Sequence, residues 1–346
     1  MLTIGMPAGS LADPNRGGNL LELLNNAGFY TKGYEAGGPS RFTTISSFFG
    51  WDGRPQEFGS QLGLDEIDVA IGGDDWVRER VLEMRYEYEI KLDLQKVLSL
   101  KRGSVRIVGI ADGDREQKNA GDILKSVLRE KDRAVIVSEM PYLALDWISG
   151  ILEKTGLKKD FGYFSVQKYK TPPKIKKGIV IYETWGKTEA KVKNGGADLG
   201  VEITQTGSAL RNYGLEIIDE IMRSETGVWI KPGLRNDKEK SALLDMFLLN
   251  LSGALNAENK MLLLFNVAND KSQAVDDFIR ENNVFADEPT KNRGPAYTEY
   301  SLQVETADSS NPIPKIRYEL AVRGAQNIDT VPVISSIKSL DELKLD

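Results

Sequence analysis

The chain has 346 residues, of which 40% are hydrophobic and 28% charged, with a formal net charge of -6. That composition excludes disordered, collagen-like and disulfide-scaffold classes, and at about 150 residues per domain the length suggests two or three domains. Neither Cys nor His occurs, which removes thiolate nucleophiles, Cys-ligated zinc, a His general base and the Ser-His-Asp triad. Chemistry must therefore rest on carboxylates, Lys, Arg, hydroxyls and backbone amides, and any metal must be a hard cation held by oxygens. The acidic balance argues against general nucleic-acid binding. No apolar run approaches the roughly 18 residues of a membrane span. The opening Met1-Leu-Thr-Ile-Gly-Met-Pro7 lacks the basic and apolar regions of a secretory signal, so a cytoplasmic setting is expected.

In chain order, a short apolar strand is expected over residues 2–6, then a Gly-rich connection (7–18). A helix follows over 19–27, where Leu20, Leu21, Leu23 and Leu24 recur at helical spacing and Gly28 is the stop. Residues 30–53 are aromatic, Gly-rich and irregular, and read as a hairpin or a flap. Asp68-Val-Ala-Ile-Gly-Gly73 reads as a buried strand ending in a Gly turn, and Asp74-Asp75-Trp76-Val77-Arg78-Glu79 as a helix start with carboxylates in its first turn. Strands are expected at 105–111 and 133–138, and helices at 120–128 and 140–155, the latter with Leu143, Trp147, Ile148, Ile151 and Leu152 on one side. The run 168–177, with five Lys and two Pro, reads as an exposed loop or hairpin rather than a phosphate site. A strand at 197–203 leads to a short helix at 209–212. Apolar segments at 215–221 and 227–231 flank a turn, and 238–255 is an amphipathic helix. The alternation argues for α/β with mainly parallel sheets.

The C-terminal part reads differently. A strand (261–267), a helix (272–282), a weaker strand (284–290), an alternating strand (297–305), a helix (314–323) and a last strand (327–337) give the order βαββαβ, a ferredoxin-like module with its boundary near Asn256. In the alternating strand Tyr300, Leu302 and Val304 exchange places with Ser301, Gln303 and Glu305, the mark of a half-buried antiparallel strand.

The best local chemical signal is Asp198-Leu-Gly-Val-Glu202-Ile-Thr204-Gln205-Thr206-Gly207-Ser208-Ala209-Leu210. A strand delivers a carboxylate, and a turn of Thr, Gly and Ser opens a short helix. Free N–H groups and hydroxyls in such a turn form an anion cradle, and a carboxylate beside it suits ribose hydroxyls or a phosphate-bound cation. Strand, polar turn and helix is also a common structural loop.

The segment from Ala197 to Leu215 resembles the phosphoribosyl-pyrophosphate loop of the ATP phosphoribosyltransferases, A-D-A-I-x-D-x-V-x-T-G-x-T-L-x-x-N-G-L. Other segments resemble that family's motifs in order: Ile4-Gly-Met-Pro7-Ala8-Gly9-Ser-Leu11, Arg54-Pro55-Gln56-Glu57, Asp68 to Val77, Ser138-Glu-Met-Pro141-Tyr-Leu143, Gly186-Lys187-Thr-Glu189, and, further on, Leu264-Phe-Asn-Val267, Pro289-Thr290 and Gly324-Ala325-Gln-Asn-Ile328. The resemblance is to the long form, with a C-terminal regulatory domain.

What it implies is an α/β fold of two periplasmic-binding-protein-like (type II) lobes around a cleft, plus an ACT-like ferredoxin module. Residues 1–104 and 235–256 would form lobe I, 105–234 lobe II, and 257–346 the regulatory domain. The implied reaction moves the 5-phosphoribosyl group of phosphoribosyl pyrophosphate to N1 of ATP, in the first step of histidine biosynthesis, with Mg²⁺ carried mainly by substrate phosphates. Glu202, Thr204, Gln205, Thr206, Gly207, Ser208, Ala209 and Leu210 would hold the phosphoribosyl group; Arg54, Asp75, Trp76 and Glu189 would line the ATP side; Thr290 would belong to an effector site for histidine as inhibitor. Dimers assembling into hexamers are implied as well. Departures from the family pattern are Ala8 in place of a Lys, Glu202 in place of an Asp, Ala209 in place of a Thr, and Leu145 near the place of an Arg. The two missing cations leave a second reading open, a non-catalytic nucleotide or sugar-phosphate sensor on the same scaffold. A phosphoribosyltransferase for another base is a third.

Overall fold

A computed structural model describes residues 1–8, 11, 18–34 and 40–343, and divides the chain into two compact units, Met1–Leu21 with Thr31–Leu243, and Glu22–Tyr30 with Leu244–Asp346. The expected Gly-rich connection, with Gly9 and Ser10 of the opening motif, lies largely outside the described residues.

The first unit opens with β1 (Leu2–Pro7), α1 (Leu20–Asn26, which continues into the second unit), a two-residue pair β2 (Thr31–Lys32) and β3 (Arg41–Phe42), β4 (Phe48–Gly53), α2 (Pro55–Gly63), β5 (Val69–Gly73), α3 (Asp74–Tyr88) and β6 (Gln95–Ser99). It continues through β7 (Val105–Asp112), α4 (Ala120–Lys131), β8 (Arg133–Ser138), α5 (Pro141–Lys154), α6 (Lys158–Phe161), β9 (Phe164–Lys168), β10 (Gly178–Glu183), α7 (Thr188–Lys193), β11 (Leu199–Thr204), α8 (Ser208–Asn212), β12 (Leu215–Ser224), β13 (Thr226–Ile230) and the start of α9 (Lys238–Ala257).

These strands make two sheets. The first has the order β4-β1-β5-β13-β6, the second β12-β7-β11-β8-β10-β9. β1 lies between β4 and β5, parallel to both, while β13 runs antiparallel to β5 and β6. In the second sheet β8 is parallel to β10 and β11, and β7 is antiparallel to β11 and β12. β1 is buried on both faces, and so are β5 and β10 over most of their length, as strands covered by helices must be. The second lobe's core gathers Ile107, Ile136, Leu143, Leu145 and Ile148 from strands and α5.

Two differences from the sequence reading concern how the sheets connect. Residues 30–53 contain the short β2–β3 pair, but they end in β4, a parallel edge strand of the first sheet. Its pattern is broken by Gly50, where a Cβ would sit 2.6 Å from the Ser40 carbonyl oxygen, so close approach and not alternation chose the residue. The apolar segments at 215–221 and 227–231, expected to flank a turn, belong to two different sheets. β12 ends at Ser224 in the second sheet and β13 begins at Thr226 in the first, so the chain crosses between lobes at Glu225, nine residues before 234.

The second unit holds α9 from Leu244 on, then β14 (Lys260–Ala268), α10 (Ser272–Glu281), β15 (Thr290–Arg293), β16 (Tyr297–Glu305), α11 (Ile313–Val322) and β17 (Ala325–Pro332). Its sheet is antiparallel, in the order β15-β16-β14-β17, the ferredoxin-like βαββαβ arrangement. Leu263, Phe265 and Val267 of β14 meet Tyr300, Leu302 and Val304 of β16 in its core, with the Phe265 and Tyr300 rings stacked 5.0 Å apart. The strand expected at 284–290 is displaced to Thr290–Arg293. Val284 is a core residue under the sheet, and the strand itself, Thr-Lys-Asn-Arg, is an exposed edge with no apolar signal. The last strand stops at Pro332 instead of 337. Among the described residues no helix is long and apolar enough to cross a membrane.

Candidate active site

The carboxyl ends of β8, β10 and β11 lie side by side, which is where open α/β sheets hold ligands. Three connections leave from there: β8 to α5, β10 to α7, and β11 to α8.

The β11–α8 connection is the Thr/Gly/Ser turn. Gly207 has φ +71°, the left-handed region that a side chain strains to enter, and its N–H donates to Thr204 Oγ1 at 2.9 Å. Thr206 Oγ1 and Ser208 Oγ lie 3.0 Å apart on the exposed side, and Arg211 Nη1 donates to the Thr206 carbonyl oxygen at 3.2 Å. Leu210 is buried and pins α8 to the sheet, while Gln205 and Ala209 are exposed. The turn is thus held by its own side chains and presents two hydroxyls. Upstream, Glu202 sits on β11. Burial pushes its carboxyl up to about 7, and the charges of Glu189 and Glu139 add to the push. Glu189 is half-buried in the first turn of α7.

The β10–α7 connection is Thr184-Trp185-Gly186-Lys187. Gly186 (φ +73°) and Lys187 (φ +60°) are both left-handed. The Gly186 N–H donates to Glu139 Oε1 at 2.5 Å, Lys191 Nζ donates to the Gly186 carbonyl at 2.6 Å, and the buried Thr184 and Thr188 hydroxyls lie 3.1 Å apart.

The β8–α5 connection meets lobe I. Glu79 on α3 is 3% exposed and accepts from the backbone N–H of Tyr142 (2.9 Å) and Leu143 (2.7 Å), in the first turn of α5. Burial outweighs those two bonds and pushes the Glu79 carboxyl up to about 8. Beside this clasp a cavity of about 210 Å³ opens between the lobes, bounded by Gln56, Trp76, Glu139, Tyr142, Glu183 and Trp185 among others.

The sequence-derived residues therefore separate. Trp76 lines the cavity, and Glu202 and Glu189 share one electrostatic neighbourhood. Arg54 is the exposed N-cap residue of α2, and its guanidinium has no ion-pair partner among the described residues. Asp75 is buried where the lobes join: its N–H donates to Ser224 Oγ at 3.1 Å, its own carboxylate accepts from the Trp76 N–H, and burial raises it. It does not line the cavity. Thr290 is exposed at the start of the edge strand β15, opposite Ser301. Ala8 is exposed, but Leu145 is 1% exposed and points into the second lobe's core, so that position offers no cation to the cleft. Glu79 and Glu139 have no place among the expected site residues. Glu79 lies one helical turn after Trp76, and Glu139 immediately follows an apolar strand, which are the signals that could have found them.

Fold and site together define a two-lobed α/β protein with an anion-cradle candidate beside an interlobe cleft. The family model described as ATP phosphoribosyltransferase matches residues 54–253. An ATP phosphoribosyltransferase of Desulfosudis oleivorans is 35% identical over 150 residues, 43% of this chain and 50% of that protein, so the match spans about half of that relative's length. One of Geotalea uraniireducens is 26% identical over 348 residues, covering 96% of this chain and 98% of its own. The solved ATP phosphoribosyl transferase (HisG:HisZ) complex of Thermotoga maritima aligns with TM-score 0.48 at 19% identity, over 73% of this chain and 97% of that one. The chain belongs to the ATP phosphoribosyltransferase family.

Proposed function

We infer that the chain transfers the 5-phosphoribosyl group of phosphoribosyl pyrophosphate to N1 of ATP, giving N1-(5-phosphoribosyl)-ATP and pyrophosphate, the first step of histidine biosynthesis. The observation that carries the reading is the Thr204–Leu210 turn, a self-braced hydroxyl cradle in the segment that the family model covers. No protein nucleophile is needed, because the transition state is oxocarbenium-like and catalysis is positioning plus charge stabilisation. In this reading Thr204, Thr206 and Ser208 bind the ribose 5-phosphate, Glu202 the ribose hydroxyls, and the cavity beside Trp76 takes part of ATP.

Mg²⁺ fits as a cargo of the substrates. Among the described residues no group of three or more acidic side chains is placed to hold a metal. Yet the charges of Glu189 and Glu139 both act against an ionised Glu202, a repulsion that a cation arriving on phosphates would relieve. Glu189 and Glu202 would reach its waters, and the metal would supply charge to the leaving pyrophosphate.

We further assign regulation by histidine to the βαββαβ module (257–346), with Thr290 as the named contact, catalysis to the two lobes of the first unit, and assembly to dimers and hexamers in the cytoplasm. The test mixes purified protein with ATP, phosphoribosyl pyrophosphate and Mg²⁺, with pyrophosphatase to pull the equilibrium, and follows the ultraviolet absorbance of N1-substituted adenine. Turnover that histidine suppresses supports both assignments. Turnover without suppression removes the regulatory one. No turnover, with substrate still bound in calorimetry, favours the sensor reading.

A further inference from the structure

We propose that Trp185 is the stacking platform for the adenine ring of ATP at the mouth of the interlobe cavity. The inference rests on the function proposed above and adds a residue to it. Trp185 is the most exposed large hydrophobic side chain among the described residues, at 82%. Its exposure is imposed by a loop held at several points. The two residues that follow it are both left-handed, one of them a Lys, a conformation that costs about 1 kcal/mol or more away from glycine. The Glu139 carboxylate grips the Gly186 N–H, Lys191 grips the carbonyls of Gly186 and Lys187, and Thr184 N–H donates to the Ser138 carbonyl. A surface tryptophan in a loop so firmly braced is presented, not merely left out.

The surroundings choose the occupant. The cavity beside Trp185 has a second indole, Trp76, and is acidic. Glu79 is taken up by backbone N–H groups and Glu83 by Arg80, but the Glu183 carboxylate has no partner among the described residues. Such a lining rejects a triphosphate and accepts the edge of a ring that carries an exocyclic amino donor. At about 210 Å³ the cavity is smaller than the roughly 300–1,000 Å³ of pockets that enclose a whole ligand, so it suits the ring alone. An aromatic face is what a nucleobase stacks on.

The test uses the full chain and three proteins, wild type, Trp185→Ala and Trp185→Phe. Loss of one base–aromatic stack corresponds to a rise of roughly five- to 150-fold in the KM and calorimetric Kd for ATP in Trp185→Ala. The KM for phosphoribosyl pyrophosphate should stay within twofold, and Trp185→Phe should recover most of the loss. Equal ATP constants for wild type and Trp185→Ala, with wild-type turnover intact, overturn the proposal and leave the function standing. A fall in kcat alone, or a change of oligomeric state without a change in ATP affinity, assigns Trp185 to another role and also overturns it. A wild type that binds no ATP sinks both.

Discussion

Glu79 offers the sharpest physical test, because two effects act on it with opposite sign. Burial favours the neutral acid, whereas its two bonds from the first turn of α5 favour the carboxylate. With burial ahead, its folded value lies near 8 against 4.5 for a free Glu. A group raised on folding contributes stability in full below the unfolded value and loses it as pH climbs to the folded one, at 1.36 kcal/mol per unit. The window is thus pH 4.5 to about 8, and between pH 5.5 and 8.5 the loss is about 3 kcal/mol. Glu79→Gln keeps the shape, cannot titrate, and turns an amide group toward one of the two N–H donors, a pH-independent cost of about 1–3 kcal/mol. At pH 5.5 the variant should be the less stable protein; at pH 8.5 the gap should close or invert. For a unit of this size that swing is about 6–12 °C in Tm, read by thermal denaturation of both proteins across pH. Other titrating groups cancel in the difference. A gap that is constant, or that widens as pH rises, would show that the helix start holds the carboxylate ionised throughout and that burial does not dominate.

Three further expectations follow from the same geometry. Glu202→Gln should flatten the limb near pH 7 in kcat/KM for phosphoribosyl pyrophosphate, because in the proposed role activity should rise as Glu202 ionises through about 7; a limb that survives the substitution belongs to another group. Gly207→Ala places a Cβ 3.0 Å from Ile217 Cδ1 at φ +71°, which should cost about 1–3 kcal/mol in urea unfolding and raise the KM for phosphoribosyl pyrophosphate more than that for ATP. Thr290→Ala, on an exposed edge strand, should change stability by less than about 0.5 kcal/mol while raising the histidine concentration for half-inhibition several-fold; unchanged inhibition removes Thr290 from the effector site.

What was legible in the sequence was whatever repeats locally. β16 announced itself through Tyr300, Leu302 and Val304, and β8 was bounded correctly at both ends by its apolar run. The Thr/Gly/Ser turn was legible because its bonds join residues two to five apart. Edge strands were not. β6 begins Gln-Lys and β15 is Thr-Lys-Asn-Arg, because a strand with one open side need not be apolar. β9 and β10 were missed beside the Lys-rich run that separates them, although β10 is fully apolar over 179–181. The Glu79 clasp was invisible for a different reason: its position one turn after Trp76 marks the residue, but its two donors lie 63 and 64 residues away. Leu145, near the place of the family's Arg, is a core residue, a placement that spacing alone does not reveal.

For the reaction proposed above, an acidic protein with carboxylates near its cleft looks ill-suited to two polyanionic substrates until the charge at the reacting atoms is counted. As pyrophosphate departs, the sugar carbon takes on oxocarbenium character. As N1 bonds to that carbon, the adenine ring becomes cationic until its amino group sheds a proton. The centre of the reaction is therefore positive on both sides of the forming bond, while the negative charge sits on phosphates at the periphery. In the proposed reaction, carboxylates such as Glu202, Glu189 and Glu183 would then stabilise what develops in the transition state and not what is bound in the ground state, the distinction on which rate enhancement depends. In the same reading the peripheral charge would fall to other groups: the hydroxyls of Thr206 and Ser208, the exposed Arg54 and Lys187, and Mg²⁺ on the phosphates. A histidine at the centre, protonated, would oppose both developing charges, so a chain without histidine loses nothing that this chemistry requires.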